Sequence, residues 1–74
     1  MKIELTPQEV ALLKARDIAF EPGRDYAEDD ALALLDEVRE AEVYYSQGED
    51  AETQRLYSQY AALGDTLFAL IPEA

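Results

Sequence analysis

Asp36, Glu37 and Glu40 crowd one short stretch of this chain, and the first chemistry that carboxylates so spaced could support is metal binding. Di-metal sites in helical bundles use Glu-x-x-His pairs that project inward. This sequence has no histidine, and a helical wheel turns these carboxylates outward, onto a solvated face. The run "RDYAEDDA" just before them lacks the Asp-x-Asp-x-Asp-Gly order and twelve-residue spacing of a calcium loop. No metal and no cofactor is expected. General bases and thiolate nucleophiles are missing with histidine and cysteine, and no Ser or Lys stands in a catalytic arrangement. Gly23, Gly48 and Gly64 lie too far apart to cradle a phosphate. The chain therefore reads as non-enzymatic.

Tyrosine is the other residue type that could make a site. "VYYSQGEDAETQRLYSQY", residues 43–60, holds four of the five tyrosines around Gly48. Tyr45, Tyr57 and Tyr60 fall on two helical stripes that face each other, so packing with the hydroxyls at the edge of the core is the expected role. Tyr44 points away from its stripe and shares a face with Asp29, Asp36, Glu37 and Glu40. Those five residues form a candidate acidic partner-binding stripe.

Charge narrows the choice of partner. Seventeen acidic residues against six basic ones give −11, and residues 25–52 hold eleven carboxylates and one base, Arg39, which places −10 of the total there. Such a surface repels nucleic acid and anionic membrane and favours basic partners. Basic residues are too few for a nucleic-acid-reading patch or a membrane-surface helix. At 49% apolar residues the chain is too hydrophobic for an acidic disordered tail. With no cysteine, no apolar run in "MKIELTPQEV" and no span of roughly 20 apolar residues, a soluble cytoplasmic protein is expected.

The elements that must position these residues follow from caps and periodicity. At 74 residues one domain, 1–74, is expected, with a small core. Thr6 as N-cap, Pro7 at the first position, Glu9 completing a capping box and Leu5 with Val10 as a staple start a helix over 7–20, ended by Pro22 and Gly23. A second helix, 25–47, opens with Asp25 and Glu28 as a further capping box and carries Ala31, Leu34, Leu35, Val38, Ala41 and Tyr45 on one stripe. Gly48 is placed as a left-handed C-terminal residue. Glu49 and Asp50 then lead a third helix over 50–71, with Thr53, Leu56, Tyr57, Tyr60, Gly64, Leu67 and Ile71 on one face and Pro72 as its stop. "MKIEL" alternates like a strand but has nothing obvious to pair with.

The fold class predicted is all-α: a three-helix bundle with a short first helix packed on a long antiparallel helical hairpin. Counting outward from Gly48 pairs Ala41 with Leu56 and Tyr57, Val38 with Tyr60, Leu34 and Leu35 with Leu63 and Gly64, and Ala31 with Leu67. Ile18, Leu34, Leu35, Val38, Tyr45, Leu56, Tyr60, Leu67 and Ile71 are the predicted core. Apolar residues remain off the main stripes: Leu32 and Val43 on the second helix, Leu12 or Leu13 on the first, Phe68 and Leu70 on the third. They suggest a protein-interaction module that binds another protein, a basic one by charge, or a second copy as a homodimer. Leu32 and Val43 form its candidate apolar partner surface. The alternative is an acidic mimic of nucleic acid that inhibits a DNA- or RNA-binding protein, in the manner of phage-encoded inhibitors. Asp36 and Glu40 stand about 6 Å apart along the helix axis, close to the spacing of neighbouring phosphates. Short acidic all-helical chains of bacteria and phage share this general look.

Overall fold

The computed structural model describes residues 1–72 and contains three helices: α1 (Pro7–Ala15), α2 (Glu28–Ser46) and α3 (Ala51–Leu70). α2 and α3 form the long antiparallel hairpin, and α1 packs against it through Leu13, which is wholly buried. The start of α1 is as the sequence specifies. Thr6 Oγ1 accepts from the Glu9 amide and Glu9 Oε1 accepts from the Thr6 amide at 2.8 Å, a reciprocal capping box ahead of Pro7.

The end of α1 differs from expectation, because the helix stops at Ala15 and not at Phe20. Asp17 takes a left-handed backbone, φ 56°. Its amide donates to the Lys14 carbonyl, and the Ile18 amide reaches back to the Leu13 carbonyl at 2.9 Å. This pair of bonds is a Schellman motif, with Ile18 and Leu13 supplying its apolar contact in the core. The chain then runs irregularly to Glu21–Arg24, where Pro22 and Gly23, φ 83°, make a tight turn.

α2 also begins late, at Glu28, and its N-cap Ala27 has no side-chain cap. Asp25 forms no capping box because its carboxylate is held elsewhere: it accepts from the Met1 ammonium at 2.6 Å. That ion pair belongs to a clip in which Lys2 and Asp25 form an isolated antiparallel bridge and the Tyr26 amide donates to the Met1 carbonyl. The N-terminal segment thus finds its partner in the loop before α2, and Ile3 is buried beneath it at 3% exposure.

Gly48 is not left-handed; among the described residues only Gly23 and Asp17 have positive φ. Its requirement is steric, since a Cβ there would lie 2.6 Å from Thr53 Cβ and overlap Thr53 Cγ2. Asp50 then caps α3 by accepting from the Thr53 amide at 3.1 Å.

The core gathers Ala31, Leu34, Leu35 and Val38 of α2, Leu63 and Leu67 of α3, and Ile71. Leu13, Ile18, Tyr26 and Ile3 close it from one side. Tyr60 is also buried, but Tyr45 and Leu56 are only half-buried. Tyr57, placed on the core stripe by its spacing, is 38% exposed, because it lies on the side of the hairpin that no third element covers.

Candidate interaction surface

The tyrosines form a stack that fastens α1 to the hairpin. Arg16, at the end of α1, lies 4.7 Å over the Tyr44 ring and 5.5 Å from that of Tyr45. Tyr44 meets Tyr45 edge to face at 5.0 Å, and Tyr45 stacks on Tyr60 at 5.4 Å. Tyr60 ends the series by donating its hydroxyl to the Leu12 carbonyl at 2.6 Å. That carbonyl lies in the last turn of α1, where the Arg16 amide bonds to Leu13, so the phenol satisfies an acceptor that the helix leaves open. Burial, with Tyr45 nearby adding to it, holds the Tyr60 hydroxyl above its ordinary pKa and keeps it a donor.

A second aromatic group stands at the other end of α1 and its loop. Phe20 stacks on buried Tyr26 at 5.6 Å, Arg24 covers the same ring at 4.6 Å, and the Tyr26 hydroxyl accepts from the Glu21 amide at 2.8 Å. Sequence reasoning passed over Tyr26; its signal was an aromatic pair, Phe20 and Tyr26, bracketing a Pro-Gly turn.

The acidic stripe divides between two sides of α2. Tyr44 lies under Arg16, and Glu37 borders a hollow shared with Ala19, Arg24 and Tyr26, so both lean toward the side occupied by α1 and its loop. Asp36 and Glu40 lie on the other flank with Arg39 and Val43, around an open hollow of about 430 Å³. Asp29 is exposed near the start of α2. Among the described residues, Asp29, Asp36, Glu37 and Glu40 form no ion pair, in contrast to Asp30, which meets Arg24 at 3.0 Å. No cluster of three or more carboxylates there could hold a metal ion.

Arg39 organises the open flank. Its guanidinium meets Glu42 at 2.7 Å and crosses to Asp65 of α3 at 3.2 Å. The bond to Glu42, with Asp65 adding to it, raises the Arg39 pKa above its ordinary value. Gly64 makes room for this bridge, since a Cβ there would sit 2.6 Å from Arg39 Nη1. The space that a Cβ at Gly64 would need is thus taken first by a guanidinium.

The two candidate apolar residues behave differently. Leu32 is half-buried and packs against the core, whereas Val43 is 64% exposed. Phe68 at 53% and Tyr57 at 38% join Val43 at the surface, while Leu13 lies in the core and Leu12 packs on it. No helix among the described residues is long and apolar enough to cross a membrane. Comparison of the chain with protein-family models, with curated proteins and with solved structures finds no match.

Proposed function

We propose that this chain is a non-enzymatic protein-interaction module that binds another protein through the uncovered side of its helical hairpin. One observation carries the reading: Val43, Tyr57 and Phe68 stand exposed along the side that the Arg39–Asp65 bridge spans, while α1 and the N-terminal clip close the opposite side. Of the other exposed large side chains, Tyr44 is taken by Arg16 and Leu70 lies at the end of α3. Large apolar side chains exposed along one face favour association over solvation. The test is capture from lysate at high salt with the tagged chain and with a Val43→Ser/Phe68→Ser variant. A partner held by the natural chain and lost by the variant supports the module; identical captures, or none, overturn it.

A specific observation also favours the acidic-mimic alternative: Asp29, Asp36, Glu37 and Glu40 form no ion pair among the described residues, so their charge is available to a basic groove. Exchanging Asp36, Glu37 and Glu40 for their amides should abolish capture of a basic partner at low salt without altering the fold. Unchanged capture would end that alternative.

A further inference from the structure

Two rows of side chains run side by side along the open face of the hairpin. On α2 the row is Leu32, Asp36, Arg39 and Val43; on α3 it is Tyr57, Ala61, Gly64 and Phe68. Both have the i, i+4, i+7, i+11 spacing of residues that share one helix face. The reach of Arg39 across Gly64 to Asp65 places the two rows on the same side of the molecule. Because the hairpin is antiparallel, Val43 and Tyr57 lie toward its turn, and Leu32 and Phe68 toward its open end. From Leu32 to Val43 the face is about 16 Å long by helical rise, room for about three turns of another helix.

We propose that this face seats a cationic amphipathic helix from another protein, an inference that rests on the interaction-module reading above. Apolar side chains stand at both ends, Val43 with Tyr57 and Leu32 with Phe68, and small Ala61 lies between them beside the Arg39 guanidinium that covers Gly64, which suits a helix presenting apolar residues at heptad spacing. Charge complementarity selects its flanks. Asp36 and Glu40 are exposed and form no ion pair among the described residues, and the Arg39 charge is already met by Glu42 and Asp65. An incoming helix therefore finds apolar contacts toward its two ends, the neutralised Arg39 bridge between them, and the carboxylates of Asp36 and Glu40 alongside, which lysine and arginine complement. A second copy of this chain would bring another −11 and the same carboxylates to the contact, which disfavours self-association.

The experiment is fluorescence anisotropy of the intact chain with a labelled leucine/lysine peptide of about 16 residues, long enough to be helical when bound. Its leucines stand at heptad core positions. The controls are a scrambled peptide of the same composition and a leucine/glutamate version. The amphipathic cationic peptide is expected to bind at least about tenfold tighter than either control. Val43→Ser/Phe68→Ser should weaken binding about tenfold. Asp36→Asn/Glu40→Gln should weaken it less and flatten its salt dependence. Equal binding of the scrambled peptide, or binding indifferent to Val43 and Phe68, overturns the proposal. If the peptide fails while lysate capture still depends on Val43 and Phe68, the cationic helix alone is wrong. If neither depends on those residues, the interaction-module reading falls with it.

Discussion

Asp17 holds a left-handed backbone, φ 56°, a conformation that costs most L-residues about 1–2 kcal/mol and glycine almost nothing. Its carboxylate also sits at the C-terminal end of α1, where negative charge is unfavourable. Asp17→Gly should therefore stabilise the fold by about 0.5–1 kcal/mol, measured as a rise in the urea midpoint; a fall would mean that the Asp17 side chain makes a contact worth more than the strain. Tyr60→Phe should act in the opposite direction. It strips the Leu12 carbonyl of its partner at 2.6 Å and should cost about 1–2 kcal/mol. The same residue sets an alkaline limit. With its folded pKa raised by burial, the stabilisation is complete below about pH 10, the unfolded value for tyrosine. Above that the unfolded chain loses its proton first and stability falls with pH. Urea midpoints measured across this range should decline less steeply in Tyr60→Phe than in the natural chain.

Elements begin and end where caps and close approaches dictate. The start of α1 was legible because Thr6, Pro7 and Glu9 interact within four residues. Its end was not, because "KARDIAF" continues a helical pattern and only the Schellman bonds around Asp17 interrupt it. The start of α2 was displaced for a longer-range reason: Asp25 is recruited by Met1, 24 residues away. The two helix-associated glycines should respond differently to a methyl group. At Gly48 the obstacle is Thr53 Cβ, which cannot move without its backbone, so Gly48→Ala should cost about 1–3 kcal/mol. At Gly64 the obstacle is the far end of the Arg39 side chain, which can swing aside. Loosening its exposed bridge to Asp65 costs about 0.2–1 kcal/mol, and the gain in helix propensity of about 1 kcal/mol offsets that. Thermal unfolding of both variants checks the contrast; comparable losses at the two sites would refute it.

The whole molecule carries −11, and among the described residues the ion pairs are few and their partners largely solvent-accessible. Screening therefore weakens more repulsion than attraction. The melting temperature should rise between roughly 0.05 M and about 1 M sodium chloride, as the Debye length shrinks to about 3 Å. A fall would mean that the bridges of Arg39 and Arg24 outweigh the general repulsion. Core truncation gives the opposite scale of effect. Leu67 is wholly buried, and Leu67→Ala should cost about 2–5 kcal/mol, a large fraction of the stability of so small a domain. Loss of the cooperative unfolding transition would report it.

The amino-acid sequence by itself determined the helical class, the hairpin of α2 and α3, and most of the residues that fill it, including Leu34, Leu35, Val38, Tyr60, Leu67 and Ile71. These depend on periodicity and on caps, interactions that span a few residues and are written in local spacing. Only the tertiary structure decided what happens between distant segments. It clipped Met1–Ile3 to the loop before α2, closed one side of the hairpin with Leu13 and Tyr26, and drew Arg16 over Tyr44. It also divided the acidic stripe between a side closed by α1 and its loop and an open one. A helical wheel orders residues around one axis, but it carries no information about which side of a hairpin a third element will take. That choice left Val43, Tyr57 and Phe68 exposed around the Arg39 bridge, and the candidate surface follows from it.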